Sequence, residues 1–223
     1  MKRRLALLTA GLASAAPLPA RESAPPVQRV VFVHGIFQRG DWEFGTLRRR
    51  LEGQGIECIA PSLKPCDGRD GLEILAAQLK TEINQRFGAR ERFSIVAFSM
   101  GGLVSRCYLQ DLDGAKRCDR FITLSTPHHG TNTAWLYGGE GARQMRPNSE
   151  FLARLQQTEN RLGRMPVTSF RTPFDLVIVP ATNSVWERAE NAEFPVIMHP
   201  LMTCTSEVVS AVEERLLGRS KRL

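Results

Sequence analysis

The stretch that most constrains the fold is residues 93–102, FSIVAFSMGG. Phe93, Ile95, Val96, Ala97 and Phe98 read as a short buried strand, and residues 103–112 read as an amphipathic helix. Ser99 stands at the corner, followed by Met100, Gly101 and Gly102. A strand that runs straight into a helix with a serine at the turn is the nucleophile-elbow pattern. The turn is sharp, so the serine is expected in a strained conformation with small neighbours. The full pentad is G-x-S-x-G, and here Ala97 takes the place of the first glycine. The competing reading is a small-residue helix start with a polar cap, and the surroundings decide between the two.

Strands are predicted at residues 30–33, 56–60, 120–124, 167–171 and 194–198, with 176–179 as an alternative to 167–171. Helices are predicted at 42–51, 72–87, 151–162 and 205–217, with a helical turn at 185–189. Residues 131–147 are Gly-rich and read as a loop. Alternating strands and helices predict an α/β fold, a mostly parallel sheet with helices on both faces. In such sheets functional groups gather at the carboxyl ends of the strands. His34, Ser99, His128, Asp175 and His199 all lie just past a predicted strand.

The 223 residues suit one domain, assigned to 30–217. Residues 1–20 have a basic start, an apolar segment and small-residue sites, so they read as a cleaved signal peptide. The predicted location is then periplasmic or secreted, or cytoplasmic if the segment is an uncleaved tail. Residues 21–29 form a linker and 218–223 a basic tail. No apolar run approaches the ~20 residues that span a bilayer. The net charge of +7 is scattered among acidic residues, which favours no nucleic-acid partner. Five cysteines fit no zinc spacing. Cys58 with Cys66 and Cys107 with Cys118 are the pairs nearest in sequence, and five free thiols is the alternative.

A serine hydroxyl needs a base to take its proton and an acid to orient that base. Of His34, His128, His129 and His199, only His199 follows a late strand, which makes it the candidate base. The acid is expected between Ser99 and His199 in chain order. Asp111, Asp113 and Asp119 fall at the far end of the elbow helix, and Glu187, Glu190 and Glu193 on a surface segment. Asp175 remains as the candidate. The developing oxyanion needs donors, expected from the backbone N–H groups of Met100 and Ile36. His34 is expected to brace that loop.

Together the segments VVFVHGI, AFSMGG and STPHHGT, with those around Asp175 and His199, resemble the bacterial lipases and esterases of the α/β-hydrolase fold. The resemblance is especially to the small Bacillus-type lipases, which also carry alanine at the first elbow position. The resemblance spans about residues 30–217. It implies Ser99 as nucleophile, Asp175 as acid, His199 as base, and Ile36 and Met100 as oxyanion donors. Phe98 replaces the histidine usual before the nucleophile, which should alter the pocket wall more than the chemistry. The resemblance also implies a small-molecule ester or lipid substrate, an acyl-serine intermediate, and neither metal nor organic cofactor. An acyltransferase or thioesterase would use the same residues, and a non-catalytic binding protein could retain the fold.

Overall fold

The computed structural model describes residues 29–218. The predicted signal peptide, nearly all of the linker and the tail beyond residue 218 lie outside the described residues. Six strands form one sheet in the order β2-β1-β3-β4-β5-β6, and every pairing is parallel. They are β1 (Arg29–Val33), β2 (Glu57–Ile59), β3 (Phe93–Phe98), β4 (Cys118–Leu124), β5 (Val167–Arg171) and β6 (Glu190–Glu193). The helices are α1 (Gly40–Glu43), α2 (Gly45–Glu52), α3 (Leu72–Phe87), α4 (Met100–Asp111), α5 (Glu140–Gln144), α6 (Glu150–Gln157) and α7 (Ser206–Leu216).

Side chains alternate across a strand, so a sheet buried on both faces needs apolar residues at nearly every position. That is why β3 reads as a continuous apolar run. Ile95 and Ala97 face a core built with α3 and α4, while Val96 and Phe98 face a second core built with α2 and α7. The same alternation places Val31 and Val33 in the first core and Val30 and Phe32 in the second. The crossovers bring the carboxyl ends of β1, β3 and β4 side by side, and the site forms there.

Three expectations are corrected, and the strand at 167–171 is found rather than its alternative at 176–179. The loop expected at 131–147 contains a 3-10 turn, Asn132–Leu136, and α5. The last strand is Glu190–Glu193, not residues 194–198. It is an edge strand held on one side by β5, so backbone pairing sustains it although Glu190, Asn191 and Glu193 are polar and exposed and only Ala192 packs on the second core. The apolar Phe194 and Val196 pack into the second core from the irregular chain that follows. The helix expected at 42–51 is two, α1 and α2, broken at Phe44, whose ring stacks on Phe32 at 4.9 Å. Residues 176–179 form no strand, because the Asp175 carboxylate takes the N–H groups of Val177 and Ile178 that a ladder would use. Phe151, Leu152, Leu155 and Leu162 all pack into the first core. All five cysteines are free, and burial pushes the Cys58 and Cys107 thiols up to about 12.

Candidate active site

Ser99 occupies the junction of β3 and α4 with φ 52° and ψ −125°. An L residue held at positive φ costs ~1–3 kcal/mol unless its surroundings fix it. Here the Ser99 N–H donates to the Leu124 carbonyl at 2.8 Å, and its carbonyl accepts from Gly102 N–H at 3.0 Å. The glycines after it are steric requirements. A Cβ on Gly101 would lie 2.5 Å from the carbonyl oxygens of Val33 and His34, and one on Gly102 would lie 2.0 Å from the Thr126 hydroxyl. The helix therefore starts pressed against the end of β1, which sets Ser99 beside the loop that follows β1.

That loop is held from three sides. His34 donates through Nδ1 to the Gly35 carbonyl at 2.8 Å and accepts the Leu63 N–H at Nε2, 2.9 Å away. It braces the loop, as the sequence suggested. The Phe37 N–H donates to the Cys66 carbonyl at 3.0 Å. The Gly35 N–H donates to Oε2 of Glu43 at 2.8 Å. Gly35 lies so near the elbow that a Cβ on it would stand 3.2 Å from the Ser99 Cβ. No acceptor among the described residues takes the N–H of Ile36 or of Met100. The N–H of Gly35, by contrast, is taken by Glu43, and Ile36 lines the cavity described below.

His199 begins a short 3-10 turn with Pro200 behind it. Its Nδ1–H donates to Oδ2 of Asp175 at 2.7 Å, and its ring packs on Phe98 with centroids 4.6 Å apart. The other Asp175 oxygen accepts the N–H groups of Val177 and Ile178 at 2.9 and 2.8 Å. Burial pushes the Asp175 carboxyl up, but the hydrogen bond and charge of His199, with the two backbone donors, outweigh this and hold it below the usual carboxylate range. With Nδ1 acting as donor, the neutral ring carries its lone pair on Nε2. That atom is buried and has no hydrogen-bond partner among the described residues.

Ser99, His199 and Ile36 line one cavity of about 380 Å³. Its walls are mostly apolar, from Phe98, Leu136, Tyr137, Met145, Leu176 and Ile178. Phe98, standing where the resemblance expects a histidine, is on this wall. The Ser99 hydroxyl forms no hydrogen bond to a described residue, so the structure joins His199 to Asp175 directly and brings Ser99 to them across the cavity. His128 and His129 lie elsewhere. His128 stacks on Trp186 at 4.5 Å, and burial followed by the Arg106 charge drives its pKa well below the usual value. His129 pairs with Glu187 at 3.3 Å.

Glu43 is the residue that sequence reasoning missed. It sits in a charged helical stretch and gives no signal of burial. Burial is the main cause that pushes its carboxyl up to about 8, against the lowering effect of the Gly35 N–H. Its second oxygen, Oε1, is buried without a partner among the described residues. At neutral pH the folded protein thus keeps a proton that the unfolded chain releases. The sign follows: this contribution to stability is complete below pH ~4.5 and is lost as the pH rises through about 8, at up to ~1.4 kcal/mol per pH unit. Glu43→Gln should keep the Gly35 bond, retain turnover, and gain thermal midpoint relative to wild type as pH is raised from 5 to 8.5. Glu43→Ala should lower kcat about tenfold by freeing the loop, the effect of one lost buried hydrogen bond. Parallel melting curves of wild type and Glu43→Gln that keep a constant separation across that range would contradict this.

A family model described as "Putative serine esterase (DUF676)" matches residues 25–137, just over half of the 223 residues. No curated protein is matched by the sequence. Among solved structures, the chain superposes on the mature Bacillus licheniformis lipase BlEst2 with TM-score 0.71 at 19% identity, covering 90% of this chain and 96% of that one. Aspergillus fumigatus lipase B gives TM-score 0.70 at 16% identity, over 90% of this chain and 55% of that one. The monoacylglycerol lipase of Paleococcus ferrophilus gives 0.64 at 16% identity, over 87% and 96%. At these identities the structural matches establish the fold, which is that of the α/β-hydrolases.

Proposed function

Because the chain belongs to the family described as "Putative serine esterase (DUF676)", we propose that it hydrolyses carboxylic esters through an acyl-serine intermediate, with Ser99, His199 and Asp175 as its triad. The observation that carries this reading is the His199 ring. Its Nδ1–H is fixed on Asp175, and its Nε2 lone pair is left unpartnered in the cavity that Ser99 lines. In this reading Nε2 takes the Ser99 proton as Oγ attacks the ester carbonyl, and Asp175 stabilises the imidazolium that results. The oxygen that gains charge is held by the N–H groups of Ile36 and Met100. The imidazolium then protonates the leaving alcohol, and water repeats the cycle on the acyl-enzyme. In this reading the Ser99 hydroxyl and His199 Nε2, which are not hydrogen-bonded here, come into hydrogen-bond contact when substrate fills the cavity.

The substrate class follows from the wall and rim. The wall is apolar, and Phe37, Trp135, Leu136, Phe174 and Leu176 stand more than half exposed on the loops of this edge. Phe37 and Tyr137 meet across it with ring centroids 5.8 Å apart. The cover over the cavity is small: one 3-10 turn, Asn132–Leu136, while the helix α6 behind it is committed to the core. We therefore expect turnover of dissolved short- and medium-chain esters, rising smoothly through the solubility limit. Leu136 lines the cavity, while Trp135 lies outside it beneath Arg146 at 4.2 Å. Leu136→Ala should shift the preference toward longer or bulkier acyl chains and spare turnover of the shortest ester. The check is rate against concentration for a chain-length series, run with water and with an added alcohol as acyl acceptor. A near-zero rate below saturation would reveal a true lid, and preferential transfer to alcohol would make the protein an acyltransferase. Residues 1–20 are read as an export signal, so we also expect a mature terminus near residue 21, which N-terminal sequencing of native material checks.

A further inference from the structure

The edge of the sheet opposite the proposed active site carries a second feature, which the ester chemistry does not use. At the amino ends of β4, β5 and β6, a cavity of about 320 Å³ is lined by four arginines: Arg120, Arg164, Arg188 and Arg215. Among the described residues, Glu190 is the one acidic group on its wall. These positions are far apart in sequence and come from a strand, two loops and a helix, so only the fold assembles them.

The use of each guanidinium can be followed. Arg188 donates to the Gly163 and Met165 carbonyls at 2.7 and 3.0 Å, which fixes it in place without neutralising its charge. Arg215 pairs with Glu190 at 2.6 Å. Arg120 and Arg164 line the same cavity and form no ion pair or side-chain hydrogen bond with a described residue. Thr168, which is 7% exposed, is on the wall, and its hydroxyl too bonds to no described residue. Ile122 and Val167, both buried, supply an apolar side.

Four cations against one carboxylate repel one another in a concave, partly desolvated space, where charges interact more strongly than in open solvent. Guanidinium is the group best matched to oxyanions, because its N–H fork binds two oxygens at once. The geometry points to a binding site for a phosphate-class dianion in this cavity, with Arg120 and Arg164 as its principal ligands and Thr168 as a supporting donor. Arg188 and Arg215 hold the walls and supply field. The apolar side has room for a small organic group, so inorganic phosphate and a phosphomonoester share the chemistry that would be recognised.

The experiment is a thermal-shift titration of the full-length protein with inorganic phosphate and, separately, with phenyl phosphate, against chloride at matched ionic strength. A saturable rise in midpoint with either phosphate, absent in chloride, is expected. A stronger rise with phenyl phosphate identifies an organic phosphate as the natural class. The Arg120→Ala/Arg164→Ala variant should weaken the apparent affinity at least tenfold. Glu190→Gln removes the competing carboxylate and should strengthen it, so the pair of variants moves the affinity in opposite directions. Esterase turnover should be unchanged in both variants, since they lie at the other edge of the sheet. No midpoint shift with either phosphate, or a shift matched by chloride, or equal affinity in wild type and both variants, would overturn the assignment.

Discussion

Ser99→Ala is expected to lower ester turnover by a factor on the order of 10⁴ or more while the protein remains folded. Triad members act as a unit, so the loss of one removes nearly all of their joint effect, and what remains comes from binding and the oxyanion donors. The change touches little else. The Ser99 hydroxyl has no hydrogen-bond partner among the described residues, and the bonds that hold the elbow run through its backbone. Alanine keeps the Cβ and hence the strain of φ 52°, so the thermal midpoint should stay near that of wild type. Ser99→Gly removes that strain and should be about 1 kcal/mol more stable than Ser99→Ala, though equally inactive. Steady-state rates on a soluble ester and melting curves of the three proteins check both parts. Activity within tenfold of wild type in Ser99→Ala would remove the nucleophile assignment.

Asp175→Asn is expected to cost a factor of about 10³–10⁴ in kcat with little change in KM. The carboxylate accepts three hydrogen bonds, from His199 Nδ1–H and from the N–H groups of Val177 and Ile178. A carboxamide has only one accepting oxygen. If that oxygen stays with Val177 and Ile178, the NH₂ group faces His199. The ring must then present Nδ1 as acceptor and carry its hydrogen on Nε2. In that tautomer Nε2 has no lone pair for the Ser99 proton, so the base is lost although every side chain keeps its place. If the amide turns the other way, two backbone N–H groups lose their acceptor and the turn before Pro180 loosens, at ~1–3 kcal/mol for each buried group left unpaired. Kinetics together with a melting curve distinguish the two outcomes. A kcat within tenfold of wild type would show that Asp175 does not orient the base.

Much of this arrangement could be read from residue order. The buried strands announce themselves as apolar runs ended by glycine or proline, because both faces of a parallel sheet need apolar side chains. The elbow is legible because close approach forbids a Cβ at Gly101 and Gly102. Asp175 and His199 follow from chain order, and the structure joins them, although the strand expected directly before His199 lies at 190–193 instead. What the sequence hid depends on partners distant along the chain. The polar strand β6 exists because β5 offers a backbone edge, which no side-chain period records. The break at Phe44 answers to Phe32, twelve positions earlier in the numbering, and the buried Glu43 finds its partner at Gly35, eight positions earlier. The arginines around the second cavity read singly as scattered surface charge, since they are brought together only by the sheet.

The most direct test of the central claim is covalent capture of the nucleophile. The full-length protein is treated with a fluorophosphonate ester and digested, and the adduct is located by mass spectrometry. One phosphonylated residue is expected, Ser99. Labelling should be abolished in Ser99→Ala and slowed by several orders of magnitude in His199→Ala, because only the His199 base makes the Ser99 oxygen reactive. An unlabelled but folded wild-type protein, or an adduct on any residue other than Ser99, would contradict the claim.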